Sequence, residues 1–149
     1  MVYVECPNVS TSNKKSLFLA GGISQCRDWQ HLIVSKLHTF DIVVYNPRRA
    51  SFDHDNQDVA SEQIIWEEEK MRNADIIVFY FCRETLCPIT LYELGIYNMT
   101  SKPIIIGMDP DYSRRIDVEV QTKLKRPEVP IVYGVNNLLK ELQITIINL

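Results

Sequence analysis

The residue whose surroundings most suggest chemistry is Glu93, in the stretch Pro88-Ile89-Thr90-Leu91-Tyr92-Glu93-Leu94-Gly95-Ile96-Tyr97. Leu91, Leu94 and Ile96 flank it, and a carboxylate among such neighbours is costly unless it is paired or used. Burial there would raise its pKa and make it eligible as an acid, a base or a nucleophile. The alternative is an amphipathic helix whose Glu faces water. Gly95 is expected to keep space open beside the carboxylate. A second candidate is Trp66-Glu67, a carboxylate beside an aromatic wall, in a helix whose other charges (Glu62, Glu68, Glu69, Lys70, Arg72) read as a solvated face.

Three further clusters stand at the ends of apolar runs. Gly21-Gly22 would let backbone N–H groups approach a ligand, or would serve a tight turn with positive φ. Asn46-Pro47-Arg48-Arg49 offers guanidinium forks that suit a phosphate or carboxylate, or two solvated arginines. Asp75 opens an apolar run that ends near Arg83-Glu84-Thr85, and by itself it reads as an ordinary helix-to-strand turn residue. Neither G-x-G-x-x-G nor G-x-x-x-x-G-K-[ST] is present, so no cofactor fingerprint is read. Cys6, Cys26, Cys82 and Cys87 form no C-x-x-C pair, and His31, His38 and His54 show no zinc spacing. No metal is expected. Free thiols in a reducing cytosol are the reading for the cysteines, although Cys82 and Cys87 flank one turn and could pair.

These residues need elements to position them. Short apolar runs, 17–20, 42–45, 76–81, 104–106 and 131–133, alternate with helical periodicity at about 28–38, 59–73, 89–98, 114–125 and 137–143. In the second of these helices Ile64, Ile65, Trp66 and Met71 are expected to mark the buried side. A polar loop through Asp53, His54, Asp55 and Asn56 precedes it. Strands apolar on both faces, alternating with helices, predict a parallel sheet covered on each side. The expected fold is α/β: a five-stranded, flavodoxin-like doubly wound sheet in three layers, with ligands held beyond the carboxyl ends of the strands. Residues 1–15 read as a polar leader or edge segment, and 16–149 as the domain.

A net charge of −3 argues against a partner that is a nucleic acid polymer, which would call for a basic face. No apolar stretch approaches the ~20 residues of a membrane span. No basic region precedes a hydrophobic run at the amino terminus, so a cytoplasmic protein without membrane association is expected.

With Leu17-Phe18-Leu19-Ala20-Gly21-Gly22, Ala74-Asp75-Ile76-Ile77-Val78 and Leu91-Tyr92-Glu93-Leu94-Gly95 in view, the chain resembles the nucleoside 2-deoxyribosyltransferase family over roughly residues 16–133. Asn46-Pro47-Arg48-Arg49 and Gly107, Asp109-Pro110 and Tyr112 look like a phage and bacterial subgroup. The resemblance implies cleavage or transfer of an N-glycosidic bond of 2′-deoxynucleosides or their monophosphates through a covalent glycosyl-Glu intermediate. Glu93 matches the family's nucleophile, and Asp75 its base-contacting Asp. Phe18, Gly21, Gly22, Asn46, Arg48, Arg49, Trp66, Glu67, Glu84 and Tyr92 are expected around the substrate. The chain departs from the family pattern at Phe18, where the transferases carry Tyr, and at Cys87-Pro88-Ile89-Thr90, where they carry an Asp. Glu84, Thr90 or Glu67 would then compensate. The resemblance further implies a homodimer or higher homo-oligomer, with the 109–115 loop as a donor to a neighbouring site. A module that binds or sequesters a nucleotide-like ligand without turnover is the competing reading.

Overall fold

The computed structural model describes residues 1–51 and 56–149. The expected loop residues Asp53, His54 and Asp55 lie outside the described residues. In chain order the elements are β1 (Val2–Glu5), β2 (Ser16–Gly21), α1 (Trp29–Lys36), β3 (Val43–Asn46), α2 (Gln57–Asn73), β4 (Ile76–Phe81), α3 (Pro88–Tyr97), β5 (Ile104–Met108), α4 (Arg115–Lys125), β6 (Ile131–Tyr133) and α5 (Val135–Ile147). Every pairing is parallel, in the order β1-β3-β2-β4-β5-β6.

The sheet has six strands rather than five. The extra strand is β1, which pairs with β3 from Val2↔Val43 to Glu5↔Asn46. Residues 1–15 are therefore in part an edge strand, the second of the two roles their composition allowed. Their polarity hid it because an edge strand buries little: only Val4 of the four is buried.

All six residues of β4 are buried, as are the first five of β2. That is why these runs read as continuous apolar stretches instead of alternating ones. α1 packs beside α5 on one face of the sheet. The right-handed crossovers from β3 to β4, β4 to β5 and β5 to β6 put α2, α3 and α4 on the other. From β2 the chain first turns to β3 and then crosses back to β4, so the strand order reverses between β2 and β4.

One helix face differs from expectation. In α2 the buried residues are Gln63, Trp66, Lys70 and Met71, while Ile64 and Ile65 are exposed. The helix is anchored by Trp66, whose ring lies 6.0 Å from Phe18 and 6.2 Å from Tyr45 and whose Nε1 donates to the Asn8 carbonyl at 2.7 Å. With Trp66 turned inward, Ile64 and Ile65, two and one residues earlier, must point away. In α1, Trp29 and Ile33 are buried, whereas Leu32 is exposed.

Candidate functional site

A cleft of about 620 Å³ opens at the carboxyl ends of β2, β3 and β4, where the strand order reverses and such folds hold their ligands. Its walls come from the β2–α1 turn (Gly21 to Ser24), the loop after β3 (Pro47 to Ala50), the inner side of α2 (Gln63, Glu67) and the start of α3 (Thr85, Cys87 to Thr90, Glu93), with Phe18 and Ala20 as apolar lining.

The helix α3 owes its aim to its first residues. Cys87 takes a left-handed conformation (φ 49°) as the cap, and Pro88 follows at the first helical position, where a missing N–H costs nothing. Thr90, Leu94 and Asn98, spaced by four, are buried, which fixes the rotation of the helix. Ile89, Thr90 and Glu93 then face the cleft, and Tyr92 is left 71% exposed on the outer side. The position of Gly95 is open, with no atom within 4 Å of where a Cβ would stand.

Glu93 accepts no hydrogen bond or ion pair from the described residues. Burial, and secondly the like charge of Glu67, push its pKa up to about 8. Glu67 is also raised by burial, although the Gln63 amide and the Arg49 charge pull the other way. Gln63 Nε2 donates to Glu67 Oε1 at 2.6 Å and to the Pro47 carbonyl at 2.7 Å, and its own buried Oε1 finds no donor among the described residues. The cleft thus holds two half-buried carboxyls, the charge of Glu67 raising the pKa of Glu93, beside one unused acceptor. Such a pair is equipped for acid and nucleophile roles on one substrate.

The arginines are less available than their position after β3 suggests. Arg48 donates to the carbonyls of Cys26 (2.9 Å) and Arg27 (3.2 Å) and to Gln30 Oε1 (3.2 Å), clamping the turn after β2. Arg49 Nη2 donates to Glu62 at 2.6 Å and to Cys6 Sγ at 3.3 Å. Both still line the cleft. Gly21 and Gly22 do so too, but neither has positive φ. They are glycine for space: a Cβ on Gly21 would lie 2.5 Å from the Trp29 ring and 2.6 Å from the Tyr80 carbonyl.

Five expected site residues lie elsewhere. Asp75 sits at the amino end of β4, a strand length or roughly 17 Å from the cleft pole. There it accepts from Ser16 N (2.8 Å), Ser16 Oγ (3.0 Å) and Lys15 Nζ (3.1 Å), stitching the amino ends of β2 and β4. Burial raises its pKa, the Lys15 and Ser16 hydrogen bonds outweigh that, and the net direction is down. Asn46 is buried behind the loop, donating to Tyr3 Oη and accepting from Arg48 N. Trp66 is core, Glu84 pairs with Arg27 at 3.2 Å, and Tyr92 points outward. Sequence reading passed over Gln63 and Cys87 as site residues. Gln63 was detectable in principle, since it stands one helical turn before Glu67 on the same face.

The cysteines also differ from expectation. Cys26 and Cys82 form a disulfide, with Cα atoms 6.4 Å apart, while Cys6 and Cys87 are free. The pairing crosses 56 residues of chain, so spacing along the sequence could not indicate it. Cys26, Cys82 and Glu84 bring one donor atom each within 4.8 Å, but two sulfurs bound to each other are not thiolate ligands.

The placement of Asp75 has a measurable consequence. Asp75→Asn is expected to lower stability by about 1–2 kcal/mol through its lost hydrogen bonds and to leave turnover unchanged. The depressed pKa means its contribution is present above the unfolded-state value and lost as pH falls through the folded one. Urea midpoints at pH 7 and pH 3 check this: the difference between the two proteins should shrink at the lower pH.

Fold and cleft together define a doubly wound α/β protein with a carboxyl pair at its switch point. A family model described as nucleoside 2-deoxyribosyltransferase like matches residues 14–112. The chain belongs to that family. A search of curated proteins found no match. Among the described residues, no helix is long and apolar enough to cross a membrane.

Proposed function

We propose that the protein cleaves the N-glycosidic bond of a 2′-deoxynucleoside through a covalent glycosyl-Glu93 intermediate, with Glu67 as the proton donor. The observation that carries this reading is the pair of raised, half-buried carboxyls, Glu67 and Glu93, facing one cleft in a member of this family. As the bond from C1′ to the base nitrogen breaks, the sugar becomes oxocarbenium-like. The Glu93 carboxylate stabilises that charge and bonds to C1′, while the Glu67 carboxyl delivers its proton to the departing base. In the second half an acceptor attacks C1′, the bond to Glu93 breaks, and the acceptor's proton returns to Glu67. A second base as acceptor gives transfer, and water gives hydrolysis. Gln63 Oε1 is placed to accept from an amino or hydroxyl group of the bound molecule. Arg48 and Arg49 already have protein acceptors, which favours an uncharged 5′ end over a monophosphate.

The test is chromatography with mass detection after incubation with each 2′-deoxynucleoside and its monophosphate, with and without a free acceptor base. Exchanged nucleosides establish transfer, and free base with free sugar establishes hydrolysis. Ligand affinity without any product would instead support a binding or sequestering module, which the apolar Phe18 and the lack of a carboxylate at residues 87–90 would then explain.

A homo-oligomer belongs to the same proposal. α3 exposes Ile89, Tyr92 and Ile96, and α2 exposes Ile64 and Ile65, more apolar surface than two helices of a monomer need show. Tyr92→Glu is expected to shift the molar mass measured by light scattering toward that of one chain. An unchanged mass would remove α3 from the contact.

A further inference from the structure

Three of the four cysteines converge on one point in the wall of the cleft. A Cβ built on Gly22 would lie 2.8 Å from Cys26 Sγ, 2.8 Å from Cys82 Sγ and 3.0 Å from Cys87 Sγ. Glycine at this position is what leaves room for all three sulfurs. Cys26 and Cys82 are bonded, and the free Cys87 sulfur stands 3.7 Å from Cys82 Sγ. That gap exceeds a disulfide bond of ~2.05 Å by only about 1.6 Å, within the reach of a side-chain rotation. Three sulfurs gathered around one point, one pair bonded and a third in contact, supply the participants of thiol–disulfide exchange, with rotation of Cys87 bringing its sulfur into line with the bond.

We propose that Cys26, Cys82 and Cys87 form a thiol–disulfide exchange site in the cleft wall, through which the bridge passes from Cys26–Cys82 to Cys82–Cys87. The Cys87 thiolate attacks Cys82 Sγ, the new S–S bond forms, and the bond to Cys26 breaks with its electron pair leaving on Cys26. The proton lost from Cys87 is balanced by one gained at Cys26, so no external oxidant or reductant enters. A small dithiol is the class of molecule that takes the site further, adding two electrons and two protons to give three thiols.

The exchange has a consequence for the cleft. The first bridge ties the end of β4 to the turn after β2, which carries Gly22. The second ties it to the cap residue of α3, the helix that carries Glu93. The position of the bond therefore sets which wall of the cleft is tethered. Burial raises the Cys87 pKa, with backbone N–H groups of Cys82 and Gly22 acting in the opposite direction. The attacking thiolate is scarce at neutral pH, and exchange should quicken as pH rises.

Disulfide mapping tests this without reference to turnover, so its failure is separate from failure of the proposed activity. Protein held without reductant at pH 7 and pH 8.5 is quenched with acid, alkylated under denaturing conditions and digested for mass spectrometry. Wild type should yield both the Cys26–Cys82 and Cys82–Cys87 linkages, the second rising at least several-fold at the higher pH with alkylated Cys26 beside it. Cys26→Ser, treated with oxidised glutathione, should form Cys82–Cys87 in most molecules, and Cys87→Ser only Cys26–Cys82. Cys87 fully alkylated in wild type at both pH values would overturn the proposal, whether or not the serine variants fold. So would Cys82 and Cys87 both remaining thiols in a folded Cys26→Ser protein.

Discussion

Glu93→Gln is expected to reduce turnover of a 2′-deoxynucleoside by about 10⁴-fold, the scale on which removing a nucleophile acts, and at the same time to stabilise the protein. The first effect follows from the role: an amide cannot form the glycosyl ester, and no other described carboxyl lies on the α3 wall. The second follows from the environment. Burial and the charge of Glu67 hold the Glu93 pKa at about 8, whereas an unfolded Glu ionises near ~4.3. Between those pH values the folded chain binds more protons than the unfolded one, so wild-type stability falls as pH rises. Below that window both states are protonated and the effect is absent. Above it the full cost of a buried carboxylate stands. Allowing for water in an open cleft, the cost at pH 9 is about 3 kcal/mol. Gln is uncharged and does not titrate, so the variant should match wild type at pH 4 and exceed it increasingly toward pH 9. Urea midpoints across that range, read with single-turnover rates, check both halves. Parallel stability profiles would mean that Glu93 is solvated. Retained turnover would mean that it is not the nucleophile.

Glu67→Gln carries the second large effect, a loss of about 10²–10³-fold in kcat/KM, as expected when a general acid is removed. Two coupled carboxyls lose their protons in steps that belong to the pair. The reactive form holds one proton, on Glu67 with Glu93 ionised; because Glu93 is the weaker acid of the two, this is the minor one-proton form, reached by passing the proton from Glu93 to Glu67. The wild-type profile should therefore be bell-shaped, with its alkaline limb near pH 8, where the pair gives up its last proton. Without Glu67 there is no acid to lose, so the alkaline limb disappears. What remains is the ionisation of Glu93 itself, which without the like charge of Glu67 falls below about pH 8 and forms the one limb left. A substrate whose leaving group departs without protonation should recover most of the lost rate in the variant. A loss that is equal for good and poor leaving groups, or a profile that keeps both limbs, would assign Glu67 to shaping the cleft alone.

Much of this was determined by the linear sequence. Continuous apolar runs such as Ile76 to Phe81 can be satisfied only as strands buried on both faces, which forces a helix-covered parallel sheet. A lone carboxylate in the apolar stretch around Glu93 is costly wherever the helix lies. Local pattern alone carries both facts. Strand direction was legible too, and it bears on Asp75: a residue that precedes a parallel strand stands at the amino pole, away from the cleft. The tertiary structure decided which groups meet. Glu67 and Glu93 sit on two helices with all of β4 between them in sequence, and only the packing of α2 and α3 on one face brings their charges together. The same holds for the turn of α2, where one anchored ring, Trp66, put Ile64 and Ile65 outside despite their hydrophobicity. It holds as well for the sulfurs of Cys26, Cys82 and Cys87, gathered around a glycine by the convergence of the two loops that follow β2 and β4. Contacts of long sequence separation leave no periodic trace in the chain, because each partner's pattern reports only the burial of its own element.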